Sequence, residues 1–350
     1  MIALLAPGQG AQTSGMLAPW LELTDAPDRI AAWSATTGLD LQRLGTTADA
    51  EEIKDTAVTQ PLVVALSLLA AEELARRVDL PADAPVAGHS VGELTAAAVA
   101  GVLTADESVA FAAIRGQEMA AACAVEQTGM SAVLGGDPDE VAAVLSRLGL
   151  DVANHNGAGQ IIAAGRLDAL ATLAQHPPAQ ARVRPLHVAG AFHTRFMAPA
   201  KRALAQYATQ LTTKDPMRPL LTNADGEVVT DGAAMLQRLI TQVVTPVRWD
   251  CCMATLRALT VTATVELPPA GALSGMVKRD LKGTVRLALK TPEDLDKVAD
   301  LISAHSEAAH SEAAHPEAAH PEADHPEADH PEADHPEADR SGADPTGTPA

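Results

Sequence analysis

The stretch VAGHSVGELTAAAVAG, residues 86–101, decides how this chain folds. It sets Ser90 inside GHSVG, after a short apolar segment and before an alanine-rich run. Gly-x-Ser-x-Gly between a strand and a helix is typical of a nucleophile elbow, whose sharp turn exposes the serine hydroxyl. The free N–H groups at the helix N-terminus favour a negative charge that develops there. The alternative is a serine without chemistry in a tight turn, since glycine- and alanine-rich sequences produce the pattern by chance.

Composition excludes several classes of protein. The chain has 350 residues, 47% of them hydrophobic, and a formal net charge of −20. The length allows two domains or one domain with an insertion, and the charge argues against nucleic acid or an anionic membrane as a partner. The three cysteines lack metal-ligand spacing, which predicts a reduced compartment without disulfides. The start MIALLAPGQG is too short for a signal sequence. We therefore expect a cytoplasmic protein.

The C-terminal stretch differs from the rest by its repeats. From His305 to Asp339 the chain repeats the units HSEAA, HPEAA and HPEAD, which carry seven of its twelve histidines. A proline every five residues interrupts a helix, and no large apolar side chain is present to form a core. These features predict a disordered tail over residues 304–350. Two interpretations of its histidines stay open, a solvated tail and a loose site for Ni²⁺ or Zn²⁺.

Strand-like and helix-like segments alternate before the tail, which predicts an α/β fold. The segment 130–187 has its own order, β-α-β-β-α-β, which is the ferredoxin-like signature. We predict a larger α/β-hydrolase-like domain with a parallel sheet over residues 1–125 and 190–303. A ferredoxin-like subdomain over residues 126–189 interrupts it.

A nucleophilic serine needs a base and a place for the oxyanion. Among the histidines outside the tail, His193 lies in the apolar segment GAFHTRFM and is the candidate base. Gln9, flanked by glycines in GQGAQ, brings its backbone close to another group. Arg115 lies in the apolar stretch FAAIRGQEM. Its guanidinium group either pairs with an anion or stays in water while the aliphatic part of the side chain is buried.

Together these motifs resemble the malonyl-CoA:acyl carrier protein transacylases, the malonyl-loading enzymes of fatty acid and polyketide synthesis. The resemblance runs from about Ile2 to about Lys290. It rests on the motifs GQGAQ, GHSVGE, IRGQEM, GMSAVLG, NHNGAGQIIAAG, GAFHTRFM, TPVRW and SGMVKR, which stand in the family's order. Departures are small, such as Thr194 for a frequent serine and Pro268 for a usual glycine.

The resemblance implies a role for each matching residue. Ser90 matches the acyl-accepting nucleophile and His193 its base. Gln242 matches a glutamine whose backbone carbonyl holds the second nitrogen of that histidine. Gln9 and the backbone N–H of Val91 match the oxyanion hole.

The resemblance also implies the substrates. Arg115 matches the arginine that binds the malonyl carboxylate, and Asn156 and Phe192 are expected to contact substrate. Phe192 resembles the malonyl-type pattern, in which a phenylalanine fills the space of a methyl branch. The implied reaction passes a malonyl group from malonyl-CoA to acyl carrier protein. It needs no metal and no other cofactor, and we expect a monomer.

One rival enzyme class shares the elbow. Serine hydrolases of the α/β-hydrolase class also use Gly-x-Ser-x-Gly, but they place an acid between serine and histidine in chain order and need neither Arg115 nor GQGAQ. Assays that compare hydrolysis of the thioester with CoA turnover separate the two classes.

Overall fold

The computed structural model describes residues 1–314, and side chains up to residue 307. Its strands are β1 Ile2–Ala6, β2 Val86–Gly88, β3 Thr128–Gly135, β4 Asp151–His155, β5 Gln160–Arg166, β6 Ala181–Leu186, β7 Leu220–Leu221, β8 Val228–Val229, β9 Val247–Arg248, β10 Ala263–Glu266 and β11 Val285–Ala288. Its α-helices are α1 Ala26–Thr37, α2 Leu41–Thr46, α3 Thr56–Ala75, α4 Gly92–Val99, α5 Ala105–Cys123, α6 Pro138–Arg147, α7 Leu167–Gln175, α8 Ala198–Ala208, α9 Gly232–Gln242, α10 Trp249–Ala258, α11 Ala272–Asp280 and α12 Leu295–Ala314.

The larger sheet has the strand order β11-β10-β1-β2-β7-β8, and every pair except β7–β8 is parallel. All five residues of β1 are buried, as both faces of a parallel sheet require. Ile2 and Leu4 belong to one apolar core, whereas Ala3 and Leu5 belong to another. The sheet is therefore covered on both faces, and its parallel strands place the ends of β1 and β2 at the same edge.

Helix α3 forms much of the first core. It is the one helix among residues 1–314 that is long and apolar enough to cross a membrane by length and composition, and 78% of its most apolar window is buried inside the protein. Asp55 caps its start by accepting a hydrogen bond from the N–H of Ala57. This burial is typical of a central core helix.

A second sheet has the order β6-β3-β5-β4-β9. Four of its strands and helices α6 and α7 follow the β-α-β-β-α-β order expected for 130–187. The fifth strand, β9, comes from a distant part of the chain and pairs in parallel with β4, with Asn154 opposite Val247. The mixed α/β fold is confirmed, and the backbone of β9 joins the small sheet to the main body.

The boundary of the predicted tail is wrong at its start. Helix α12 continues to Ala314, so residues 304–314 are helical and not disordered. The reason is that the first two repeats are HSEAA and carry no proline; the first proline of the repeats is Pro316. A residue before proline is biased away from helical angles, which fits an end at this point. The rest of the predicted tail, 315–350, lies outside the described residues.

Candidate active site

The serine sits on a turn that only glycines allow. β2 ends at Gly88 and α4 begins at Gly92. A Cβ on Gly88 would lie 2.1 Å from the carbonyl carbon of Gly92, and a Cβ on Gly92 would lie 2.3 Å from the oxygen of Ala6. Ser90 between them has φ 53°, in the left-handed region that side chains rarely adopt. The predicted elbow is present, and its backbone is strained at the serine.

Asn223 holds the strained turn in place. Its Oδ1 accepts the N–H of Ser90 at 2.7 Å, and its Nδ2 donates to the oxygen of Gly88 at 2.7 Å. Asn223 is 1% exposed and follows β7, the strand next to β2. One side chain therefore ties both arms of the elbow together.

His193 faces the serine. Its Nε2 lies 2.7 Å from Ser90 Oγ, and its Nδ1 lies 2.9 Å from the backbone oxygen of Gln242. A carbonyl only accepts hydrogen bonds, so Nδ1 carries the proton and Nε2 presents a lone pair to the hydroxyl. Burial, followed by the charge of Arg115, lowers the pKa of His193 to about 3. The imidazole is therefore neutral and oriented to take the serine proton.

Two backbone N–H groups are available to an oxyanion. Within the described chain, neither the N–H of Val91 nor that of Gln9 has a hydrogen-bond partner. The loop after β1 packs closely on the elbow, since a Cβ on Gly8 would lie 2.6 Å from the oxygen of His89. Free donors beside a nucleophilic serine form the arrangement that stabilises a tetrahedral intermediate.

Arg115 is buried beside the nucleophile, at 2% exposure. Its Nη1 donates to Gln60 Oε1 at 2.6 Å, and its Nη2 donates to Gln242 Oε1 at 2.7 Å. Nη2 also lies 3.4 Å from Ser90 Oγ. Burial lowers the pKa of Arg115 to about 10, and the charge of Glu93 opposes this shift, so the guanidinium stays charged at neutral pH. Of the two interpretations from the sequence, the one with a solvated guanidinium does not fit this burial.

A cavity of about 240 Å³ opens in front of these groups. Ser90, His193 and Gln9 line it, together with Asn156 and Phe192. Other lining residues are His89, Gln60, Asn154, Gln160, Met119, Met130, Ile162, Leu186, Val188 and Met276. A larger cavity of about 360 Å³, lined mainly by apolar side chains, lies elsewhere and contains none of the predicted site residues.

Asn156 reaches the site through a histidine. Its Oδ1 lies 3.0 Å from His89 Nε2, and burial lowers the pKa of His89, so this nitrogen donates as a neutral imidazole. The ring of His89 also packs edge-on against Trp249, with centroids 5.4 Å apart. The structure thus brings all eight predicted site residues to one place.

Three residues of this site were not assigned from the sequence: Gln60, Asn223 and Glu93. Gln60 is a buried amide directly before the apolar run PLVVAL of helix α3, which is a signal that sequence reasoning could have used. Glu93 ends the motif GHSVGE and is 1% exposed. Asn223 carries no local signal in the sequence.

The known proteins that this chain resembles agree with an acyl-transfer site. The acyl transferase domain family matches residues 4–310. The malonyl CoA-acyl carrier protein transacylase of Mycobacterium tuberculosis is 62% identical over 302 residues, which cover 86% of this chain and 100% of the relative. The protein of the same name from Mycolicibacterium smegmatis is 58% identical, over 82% of this chain and 100% of that relative. A crystal structure of MCAT from M. tuberculosis superposes with a TM-score of 0.83 at 61% identity, covering 85% of this chain and 99% of the other.

Proposed function

This chain belongs to the acyl transferase family and is a malonyl-CoA:acyl carrier protein transacylase of fatty acid or polyketide synthesis, and from that premise we propose that Ser90 carries the malonyl group between its two substrates. The single observation that supports this most strongly is the hydrogen-bonded series from Ser90 Oγ to His193 to the carbonyl of Gln242. It provides a nucleophile, a neutral base and a fixed tautomer without a buried carboxylate in the third position.

In the first half of the reaction Ser90 attacks the thioester of malonyl-CoA. His193 Nε2 takes the hydroxyl proton as the C–O bond forms, and the N–H groups of Val91 and Gln9 receive the oxyanion. Each such donor contributes roughly 3–4 kcal/mol to transition-state stabilisation. When the C–S bond breaks, the CoA sulfur takes the proton from His193. Malonyl-Ser90 and free CoA result.

The second half reverses these steps with a different thiol. The phosphopantetheine thiol of acyl carrier protein gives its proton to His193, and its sulfur attacks the ester carbonyl of malonyl-Ser90. The oxyanion forms in the same hole. As the ester bond breaks, Ser90 recovers the proton from His193.

Arg115 selects the malonyl group by its free carboxylate. The two acceptors that hold the guanidinium, Gln60 and Gln242, are neutral amides, so its charge is not neutralised by a direct carboxylate partner. A carboxylate two carbons from the acyl carbonyl can pair with it in a charge-assisted contact. An acetyl group leaves the buried charge unpaired, which disfavours it.

The finer description of the fold rests on strand order. The larger domain, 1–125 and 190–303, is α/β-hydrolase-like, because a parallel sheet delivers the serine at the end of a strand. The subdomain, 126–189, is ferredoxin-like, because four antiparallel strands and two helices follow in that order.

The remaining features of this proposal follow from the chemistry and the composition. Acyl transfer through a serine ester, with a histidine base and N–H donors, is complete without a resident metal or redox cofactor. We place the enzyme in the cytoplasm, as a monomer, on the grounds of its reduced cysteines and acidic composition.

Mass spectrometry of the intact protein tests this function. After mixing with malonyl-CoA, the wild-type protein should gain one malonyl group on Ser90 and lose it to added holo acyl carrier protein. Ser90→Ala should gain none, while Ser146→Ala, at an exposed serine of α6, should behave as wild type. An adduct on another residue in Ser90→Ala would assign a different nucleophile. Rapid loss of the adduct to water, without carrier protein, would favour the hydrolase class.

A further inference from the structure

The side chain of Gln242 stands between two opposite charges. Its Oε1 accepts from Arg115 Nη2 at 2.7 Å, and its Nε2 donates to a carboxylate oxygen of Glu93. The same Nε2 donates to the backbone oxygen of Ser90 at 2.9 Å. The amide of Gln242 therefore touches the arginine, the glutamate and the nucleophile's own backbone.

Glu93 is buried in the first turn of α4, three residues after the nucleophile. One carboxylate oxygen accepts the N–H of Asn223, and the other accepts from Gln242. The carboxylate thus reaches both the side chain that holds Arg115 and the residue that braces the elbow. The mechanism of acyl transfer assigns it no role.

The hydrogen-bonding capacities of these three groups allow one arrangement. Burial raises the pKa of Glu93 to about 7, and above that pH its ionised carboxylate only accepts, whereas the guanidinium of Arg115 only donates. An amide between them satisfies both only when its N–H₂ faces the carboxylate and its oxygen faces the guanidinium. Glu93 therefore favours, together with the backbone oxygen of Ser90, the orientation in which the oxygen of Gln242 faces Arg115.

We propose that Glu93 is the positioning residue for malonyl selectivity: it fixes the amide of Gln242 so that its oxygen holds the guanidinium of Arg115 beside Ser90. This inference rests on the proposed function of Arg115 as the malonyl carboxylate's partner. Glu93 touches no substrate, and it acts through Gln242.

The position of the carboxylate, one amide away from the arginine, has a physical reason. A glutamate in direct contact with Arg115 would neutralise the guanidinium and compete with the malonyl carboxylate. The charge of Glu93 does act on Arg115, where it opposes the lowering of the arginine's pKa by burial. The direct contact at 2.7 Å is made by a neutral oxygen. The arginine is thus held in place while its charge stays available to substrate.

Glu93→Gln is the test. The new side chain can still accept the N–H of Asn223, but its own N–H₂ then faces the N–H₂ of Gln242. The amide of Gln242 must then either rotate end over end or lose its hydrogen bond to residue 93. After such a rotation its N–H₂ group, a donor, faces the guanidinium of Arg115. We expect the ratio of kcat/KM for malonyl-CoA to kcat/KM for acetyl-CoA to fall about 10- to 100-fold, as for the loss of one hydrogen bond to a charged group.

Glu73→Gln is the matched control. Glu73 is also a buried glutamate, at 6% exposure, but it pairs with Arg76 and Arg77 far along α3. Its replacement should leave the malonyl-to-acetyl ratio at the wild-type value. A merely structural loss of a buried carboxylate would lower both rates together in either variant.

A double variant shows whether Glu93 works through the arginine. In an Arg115→Ala background, Glu93→Gln should change the malonyl-to-acetyl ratio no further. If Glu93→Gln does not fold, Gln242→Met replaces it, because this variant keeps the backbone carbonyl for His193 and removes the amide. It should lower the ratio in the same way.

The outcomes separate this inference from the proposed function. If the wild-type protein forms malonyl-Ser90 and transfers it, but Glu93→Gln keeps the wild-type ratio or raises it, the role of Glu93 is wrong and the transacylase function stands. The same holds if the double variant shows an additional loss of selectivity. If the wild-type protein forms no malonyl-Ser90, the proposed function itself fails.

Discussion

Arg115 and His193 converge on the same hydroxyl: Ser90 Oγ lies 2.7 Å from His193 Nε2 and 3.4 Å from Arg115 Nη2. The base and the carboxylate-binding cation are therefore both in reach of an acyl group attached to the serine. The cation also favours the neutral form of the histidine, since its charge is the second cause of the lowered pKa of His193. Substrate selection and base catalysis share one electrostatic environment.

Arg115→Ala should weaken malonyl transfer much more than acetyl transfer, because only malonyl carries a second carboxylate. Losing one partner of a buried charged contact costs about 2–5 kcal/mol. Steady-state kcat/KM for both CoA thioesters measures the difference, with Arg29→Ala, an arginine paired with Glu72 and Asp106, as control. An equal loss of kcat/KM for the two substrates would mean that Arg115 supports the fold and does not bind the malonyl carboxylate.

The acylation rate should not fall with a midpoint near pH 6.5. His193 must be neutral to take the serine proton, and burial lowers its pKa to about 3, so protonation of this base begins only well below pH 5. Single-turnover formation of malonyl-Ser90 between pH 5 and pH 8 is the measurement. A loss of rate with a midpoint at pH 6–7, present equally in wild type and Glu93→Gln, would contradict a buried neutral imidazole.

The carboxyl of Glu93 should make folding stability depend on pH. Burial raises its pKa from 4.5 to about 7 in the folded protein. Below pH 4.5 both folded and unfolded states hold the proton, so nothing is lost. As the pH rises from 4.5 through 7, the unfolded state ionises first, and the free energy of unfolding falls by roughly 3 kcal/mol.

Urea unfolding of wild type and Glu93→Gln at pH 5 and pH 8 isolates this effect, because glutamine does not titrate. The wild-type protein should lose stability relative to the variant on going to pH 8. A difference between the two proteins that stays constant with pH would show that Glu93 keeps an ordinary pKa in the fold.

Phe192→Ser should narrow the preference for malonyl-CoA over methylmalonyl-CoA. Phe192 lines the cavity one residue before His193 and is 7% exposed, so it can occupy the space of a methyl branch. Excluding one methyl group gives a preference of about 10- to 200-fold. Competition between the two thioesters, read on the carrier protein, measures it, and a wild-type ratio near one would refute this assignment of the pocket.

Local patterns in the sequence predicted the elbow and the strand order, because both features depend on residues that are neighbours in the chain. GHSVG needs close glycines, and α5 begins at a capping box that Thr104 forms with Glu107, three residues further on. The support around the site could not be predicted in this way. Glu93 meets Gln242 across 149 positions and Arg115 meets Gln60 across 55, and no local signal links such partners. The strand β9 has two residues and is set by tertiary packing alone.

The pairing of β9 with β4 limits how the enzyme can admit its substrates. Asn154, opposite Val247 in that pairing, also lines the catalytic cavity, and the N–H of Arg248 donates to the backbone oxygen of Asn223 at 2.7 Å. Main-chain hydrogen bonds thus join the small sheet, which lines the cavity at Asn154, to the main body. A clamshell movement of the small sheet would have to break them. We therefore expect the small sheet to stay joined to the main body during turnover, because separation would break the β4–β9 pairing.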